Sequence, residues 1–346
     1  MAVGLDLFDR CIDVKIYDSN RLLIAEVRTP EYGPKPEIKV EGTILSNTYQ
    51  IAGKVTITNL ERSVPVENAR FLVVEMYYGG AQVSQILRKQ IIYSVLFADQ
   101  SKQPPNRQVC FNCIVAGTTP DIMSYKTSIS KLDAKGKPME IPLSTILQDV
   151  IKAYNQALLA AEPNWYDKLA LDPEPELRMT ATTEANFNSI KSAAQWSDKS
   201  ISEILDSLTT ITVETEPITK DATANKYYLA FNYYIENNKL VVAELPSNAF
   251  IPITGQKRLE MTYVLSAYRY GPQVHIRALF DPRIHQDVVI SISASNLSGK
   301  KVAGNLIPLL RDAELGVVLF RPVGGIQFAF STTSENWMQM QGVMYV

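Results

Sequence analysis

The sequence predicts a β-rich α+β protein: two antiparallel β-barrel, tube-like domains with a mixed α/β insertion between them. Three observations carry that expectation. From residue 11 to 117, apolar and polar side chains alternate with the two-residue period of strands. From 118 to 245 the apolar spacing lengthens to that of helices, and from 246 to 346 the alternation returns. The expected division is therefore 1–117, first β-barrel domain; 118–245, mixed insertion domain; 246–346, second β-barrel domain. Two β blocks of similar size suggest a duplicated module, although no residue-level repeat is visible.

The elements follow in order. Cys11 to Tyr17 reads as a strand, Asp18-Ser19-Asn20 as its turn, and Arg21 to Ala25 as the return. Val40, Gly42 and Ile44 open another strand. Further strands fall at Ala52 to Leu60, Phe71 to Tyr78 (ended by Gly79-Gly80), Arg88 to Phe97 and Arg107 to Val115. Strands at this spacing with short turns predict an antiparallel barrel or sandwich.

In the insertion, Ile146, Leu147, Val150, Ile151, Tyr154, Ala157 and Leu158 share one face of a helix over 143–161, with Ser144 as N-cap and Pro163 as terminator. Ser200-Ile201-Ser202-Glu203 has the spacing of a capping box and opens a second helix that aligns Ile201, Ile204, Leu205 and Leu208. Tyr227 to Ile235 and Lys239 to Glu244 form a hairpin about Asn237-Asn238. In the last block, strands are expected at Leu259 to Tyr268, Val274 to Phe280, Val288 to Ser293, Val317 to Arg321, Gly325 to Phe330 and Met338 to Tyr345.

Composition narrows the function. The 346 residues include 34 Lys plus Arg against 36 Asp plus Glu, a formal charge of −2. That balance argues against nucleic-acid binding as the main task and offers no polybasic attraction to a membrane. Charged residues are 20% of the chain, slightly few, as expected where part of a surface is hidden in an assembly. Seventeen tyrosines and nineteen prolines fit a β-rich chain with many turns. The start, MAVGLDLFDRC, places Asp6 and Asp9 where a signal peptide needs basic residues and then an apolar run, so it is read as unprocessed and made in the cytoplasm. No window approaches the ~18 apolar residues of a membrane-spanning helix. Three cysteines, Cys11, Cys110 and Cys113, are no disulfide scaffold.

Catalytic motifs are scarce: GxSxG, HExxH and GxGxxG are absent. Ser298-Gly299-Lys300-Lys301 resembles the end of a phosphate loop, but Ala294 stands where the first glycine belongs and no Ser or Thr follows the lysine, so a polar turn is expected. Cys110-Phe111-Asn112-Cys113 is a CxxC without two further zinc ligands, and on a strand its cysteines point to opposite faces. Asp167, Asp172, Glu174 and Glu176 crowd one loop, which reads as solvated rather than as a hydrolytic carboxylate pair. The pairs Tyr77-Tyr78, Tyr227-Tyr228 and Tyr233-Tyr234 have the rings to stack on sugars or bases, but in strands tyrosines more often cover sheet faces or fill interfaces.

The two histidines, His275 and His285, flank Asp281 and Arg283 in VHIRALFDPRIHQD. Val274, Ile276 and Ala278 alternate with His275 and Arg277, which places His275 away from the core. Asp281-Pro282-Arg283 is turn chemistry and His285 lies in the connection, so the stretch is expected to be a barrel corner and not a metal site. No catalytic, cofactor-binding or metal-binding residue is assigned, and no cofactor is implied.

The corner Ala278-Leu279-Phe280-Asp281-Pro282-Arg283-Ile284-His285-Gln286-Asp287-Val288-Val289 resembles the last barrel of phage baseplate hub proteins, with His285-Gln286 where that family usually has Pro-Gly. Lys54-Val55-Thr56-Ile57-Thr58-Asn59-Leu60 is similar to a strand of the family's first barrel. It is followed, as there, by an apolar strand ending in Gly79-Gly80 and then by Tyr93-Ser94-Val95-Leu96-Phe97. Ile326 to Trp337 resembles the closing hairpin with its Asn-Trp step, and Ser200 to Leu205 resembles a helix of the family's insertion. Each motif is degenerate; their order along nearly the whole chain is what matches.

The resemblance implies a structural virion protein without enzymatic activity. Such hubs, shared with tailocins and other contractile injection systems, are homotrimers whose two barrels per chain give a pseudo-sixfold ring. The ring seats on a sixfold tail tube or tube-initiator protein and offers threefold symmetry to a central spike, with tape-measure and wedge proteins as further contacts. DNA would be met only in transit, through a lumen expected to be polar or acidic so that it does not stick. The location implied is the virion tail tip, after synthesis in the host cytoplasm. Two readings from other classes stand beside this one: a tail-associated peptidoglycan hydrolase using a carboxylate pair, and a carbohydrate-binding adsorption module using the tyrosine pairs. Val346 falls where the second barrel is expected to close, which leaves no room for an added hydrolase domain.

Overall fold

A computed structural model describes residues 9–30, 35–44, 52–79, 88–101, 107–117, 120–161, 177–178, 191–192, 195–209, 213–215, 227–236, 239–246, 258–261, 263–270, 273–284, 289–293, 317–322 and 325–345. The class is the expected one, β-rich with a few helices. The chain groups into two compact units, one of Met1–Ser46, Gln50–Ala116 and Gln256–Val346, the other of Asn47–Tyr49 and Gly117–Gly255. The β block before the insertion and the one after it thus belong to a single unit.

The first block contributes β1 (Arg10–Tyr17), β2 (Leu23–Val27), β3 (Ile38–Ile44), β4 (Ala52–Thr58), β5 (Phe71–Tyr78), β6 (Arg88–Ser101) and β7 (Gln108–Val115). They are strands because their side chains alternate between core and surface. Ile12, Val14 and Ile16 of β1 are buried, as are Leu72, Val74 and Met76 of β5 and Val109, Phe111 and Cys113 of β7. Each such Val, Leu, Ile, Met or Phe side chain removed from water contributes about 1.5–3 kcal/mol. The turn after β1 is built by Asp18, whose Oδ1 accepts the N–H groups of Asn20 and Leu22, both at 2.8 Å. Arg21 takes a positive φ of 62° there, so the return strand starts at Leu23, two residues later than alternation predicts.

The second unit holds α1 (Pro120–Met123), β8 (Lys126–Ile129), β9 (Ile141–Pro142), α2 (Leu143–Ala161), β10 (Leu177–Arg178), β11 (Lys191–Ser192), β12 (Trp196–Ser200), α3 (Ile201–Thr209), β13 (Val213–Thr215), β14 (Tyr227–Glu236) and β15 (Lys239–Pro246). Helix α2 packs on α1 and α3, burying all seven of the residues placed on its apolar face. It begins at Leu143 directly after Pro142, so Ser144 falls inside the first turn and not at the cap. The capping box of α3 is formed. Ser200 Oγ accepts the Glu203 N–H at 3.2 Å, and the Glu203 carboxylate accepts the Ser200 N–H at 2.8 Å. Strands β14 and β15 form the predicted hairpin, closed by the pair Glu236–Lys239, in a four-stranded sheet ordered β10-β15-β14-β13.

The last block supplies β16 (Arg258–Glu260), β17 (Val264–Tyr270), β18 (Gln273–Ala278), β19 (Val289–Ser293), β20 (Val317–Pro322), β21 (Ile326–Ser331) and β22 (Asn336–Tyr345). The single strand expected over 259–268 is two, because the chain changes partner: β16 runs parallel to β19, and β17 pairs antiparallel with β18. All the strands of this unit join one 14-stranded sheet, with the path β16-β19-β20-β22-β21-β3-β4-β7-β6-β5-β1-β2 and β17-β18 branching from β22. The two blocks meet where β21 pairs with β3.

Candidate functional site: the seam between the two β blocks

The seam is a six-pair antiparallel ladder from Ile326–Ile44 to Ser331–Lys39. Its end is fastened by Thr332. The Thr332 N–H donates to the Ile38 carbonyl at 3.0 Å, while Oγ1 accepts the Ile38 N–H at 3.1 Å and donates to the Pro36 carbonyl at 2.6 Å. Thr332 is buried, so these bonds satisfy groups that would otherwise be costly to hide. Outside, Lys39 Nζ lies 2.9 Å from Glu41 and 3.0 Å from Glu335, and Arg10 donates to the Ser334 and Glu335 carbonyls at 3.2 Å. These exposed pairs add specificity of register more than energy.

Beneath the ladder, β3 and β4 place Gly42 opposite Gly53. The space that side chains would fill is occupied by two aromatic rings, Tyr93 from β6 and Phe328 from β21. A Cβ at Gly42 would meet Phe328 Cζ at 3.1 Å, and one at Gly53 would meet Tyr93 Cζ at 2.8 Å. The glycines are thus where a ring from each block comes close against the seam.

The Phe280-Asp281-Pro282 corner docks beside it. Asp281 Oδ1 accepts from the Arg283 backbone N–H at 3.0 Å and from Nε at 2.9 Å, and Oδ2 accepts from Nη2 at 2.6 Å. The corner is therefore locked by its own bidentate ion pair. Asn336, at the start of β22, accepts the Phe280 N–H through Oδ1 at 3.1 Å. The Tyr78 hydroxyl, at the end of β5, donates to the Phe280 carbonyl and also lies 3.2 Å from Asn336 Oδ1. Burial raises the Tyr78 hydroxyl pKa well above the usual tyrosine range, so it remains a donor. The rings close the junction: Tyr78 meets Phe330 edge-on at 5.4 Å, and Phe280 lies 5.1 Å from Phe328 and 5.0 Å from Phe330.

The residues weighed for chemistry are placed as follows. His275, on β18, is half-buried on the side opposite Val274 and Ile276. His285 lies outside the described residues, as do Asp167, Asp172, Glu174, Glu176 and Ser298 to Lys301. Cys113 is buried, which pushes its thiol pKa up, and Cys110 sits half-buried on the other face of β7. Tyr77 and Tyr78 also face opposite ways. The Tyr77 hydroxyl donates to Asp13 at 3.1 Å beneath the Arg88 guanidinium, so its ring is already engaged. Tyr233 is buried and donates to Asp206 at 2.8 Å. Among the described residues no group of three or more His, Cys, Asp or Glu is arranged to hold a metal ion, and no helix is long and apolar enough to cross a membrane. What sequence reasoning missed is the fastening by Thr332 and the bond from Tyr78 to the corner. Both join residues far apart in sequence, and no local pattern signals them.

The site is a junction between the two β blocks. No family model and no curated protein match the chain. Among solved structures it is similar to the Escherichia coli c3393 protein, a component of the type VI secretion system described as similar to the T4 bacteriophage tail proteins gp27 and gp5. The TM-score there is 0.45 at 7% identity, over 90% of this chain and 74% of that one. It is also similar to a tail protein from Neisseria meningitidis MC58, with TM-score 0.47 and 8% identity over 97% of each chain. A third is the 43 kDa tail protein of prophage MuSo2 from Shewanella oneidensis, with TM-score 0.45 and 7% identity over 96% of this chain and 98% of that one. Tail and secretion-system proteins are thus its structural neighbours.

Proposed function

We propose that the chain is a structural tail protein, a trimeric baseplate or tail-tip hub. It joins a sixfold tail tube to a threefold central spike and lines the channel through which DNA leaves. The observation that carries this reading is the seam, which joins two β blocks edge to edge within one chain. Three chains so built supply six blocks to a tube above and three insertions to the surroundings, which is what a sixfold-to-threefold adaptor requires. In this reading residues 1–117 and 246–346 curl into the two barrels and 118–245 form the insertion. The partners are the tube or its initiator, the spike, and tape-measure and wedge proteins. The place is the virion tail tip, reached after synthesis in the host cytoplasm. The chain makes and breaks no covalent bond.

Light scattering on a sizing column, followed by negative-stain microscopy, tests the proposal. The expected result is a species of three times the chain mass with ring-shaped particles. A monomer that gives a lysis band on a peptidoglycan zymogram overturns it in favour of a hydrolase.

A further inference from the structure

Cys11 stands near the start of β1, on the side of the strand that faces away from the core. Ile12, Val14 and Ile16 point inward, whereas Asp13 and Lys15 share the side of Cys11. Cys11 is nevertheless buried, with Asp9 and Lys35 against it. Lys35 Nζ donates to the Asp9 carboxylate and, at 3.0 Å, to the Arg10 carbonyl, and these two acceptors hold it 3.6 Å from Cys11 Sγ. Asp9 is fixed in turn through its carbonyl, which accepts the Gly79 N–H. Gly79 also leaves the room, since a Cβ there would lie 3.0 Å from Cys11 Sγ. The other two cysteines differ: Cys113 faces the core, and Cys110 Sγ has at 3.8 Å the Asn112 amide, which is not a nucleophile.

A thiol, a primary amine and a carboxylate in contact have a chemistry that none of them has alone. Peroxide turns a cysteine thiol into a sulfenic acid, whose sulfur is open to attack by nitrogen. Lys35 Nζ sits at the outer margin of the roughly 3–3.5 Å separation from which such atoms react. The Lys35 side chain is 21% exposed, so peroxide reaches the pair from solvent. Burial raises the Cys11 thiol pKa, and the Lys35 charge pulls it the other way. Thiolate is therefore scarce at neutral pH. The oxidation is slow, unlike that of a fast peroxide sensor.

We infer that Cys11 and Lys35 form a site of oxidative modification, at which hydrogen peroxide leads to a covalent bond between Sγ and Nζ. In the first step sulfur takes one peroxide oxygen: the O–O bond breaks, sulfur is oxidised by two electrons, peroxide is reduced, and one water leaves. In the second step the Lys35 ammonium gives a proton to the Asp9 carboxylate, and the freed lone pair attacks sulfur. The S–O bond breaks, and its electron pair leaves with hydroxide, which takes a second proton from nitrogen and departs as water. The product ties β1 to the segment that enters β3. It does so beside the Pro36 carbonyl held by Thr332 and the Ser334 and Glu335 carbonyls held by Arg10, and thus fastens the seam from the side of the first block. A tail particle built in a reducing cytoplasm and then released acquires such a bond late. That timing rests on the function proposed above; the bond does not.

The test exposes the full chain to millimolar hydrogen peroxide, quenches with catalase, digests with trypsin under non-reducing conditions and maps the peptides by mass spectrometry. The expected result is residues 11–15 joined to residues 29–39, two hydrogens lighter than the separate peptides together and released by dithiothreitol. Lys35→Arg keeps the positive charge but has no primary amine, so the joined pair should vanish and dimedone should label Cys11 as the sulfenic acid instead. Amide exchange protection in β1 and β3 of the wild type should rise at least about tenfold on oxidation, as closure of a loop of this length implies, and fall back with dithiothreitol. Cys11 that ends as a sulfinic acid or as a disulfide between chains overturns the inference, as does a thiol untouched in the folded chain yet oxidised in urea. A joined pair that retains the oxygen overturns the direct sulfur–nitrogen bond. Each result is read on the single chain, so none of them bears on whether the chain assembles as a hub.

Discussion

Asn336 accepts the Phe280 N–H, and the Tyr78 hydroxyl donates to the Phe280 carbonyl, so the backbone of one residue of the second block is held on both sides. Removing either partner strands a buried polar group. Tyr78→Phe and Asn336→Ala should each destabilise the β unit by about 1–3 kcal/mol, measured by urea unfolding. The two effects should fall short of additive, because both side chains act on the same residue. Glycines give a contrast at the same scale. Gly53→Ala drives a methyl into the Tyr93 ring within a filled junction and should cost about 1–3 kcal/mol. Gly136→Ala meets no neighbour within 4 Å, but its φ of +73° should cost about 1 kcal/mol. Equal losses at the two positions would show that the Tyr93 cradle relaxes freely.

At the scale of the element, α3 carries a pH signature. The Ser200 backbone N–H, then Lys199 and the Ser200 hydroxyl, hold the Glu203 carboxyl at about 2, below its ordinary 4.5. A depressed pKa means that the charged form favours the folded state. The stabilisation is therefore whole above 4.5 and fades as pH falls through about 2. Hydrogen exchange in α3 should accelerate across that window, and Glu203→Gln should flatten the dependence. Ser200→Ala should cost about 1 kcal/mol at neutral pH. Elements of this kind were legible in the sequence, because their causes lie within a few residues: the capping box, the apolar face of α2, the Asn237-Asn238 hairpin and the alternation of β5. Where a distant partner decides, the reading slipped. The 259–268 stretch alternates throughout, yet β16 and β17 pair with different strands, and Ser144 lost the cap to the backbone path set by Pro142.

At the scale of the whole molecule, the seam makes two β blocks one sheet, and the sequence gives no sign of it. Gly42, Gly53, Phe328 and Thr332 look unremarkable one at a time; their meaning depends on register between segments far apart. Thr332→Val removes the acceptor of the Ile38 N–H and the donor to the Pro36 carbonyl. Because the sheet is continuous, exchange protection should fall together in β3–β4 and in β21–β22, where loss confined to one side would show that the blocks unfold separately. The bond from Ile38 to Thr332 spans 294 residues. At a synthesis rate of ~5–20 residues per second, β3 waits on the ribosome for roughly 15–60 s before its partner strand exists. During that interval a β edge of the nascent first block lacks its neighbour. Crowded polysomes making this chain would bring such edges from adjacent copies close together, so high expression temperature should favour aggregates nucleated before translation ends.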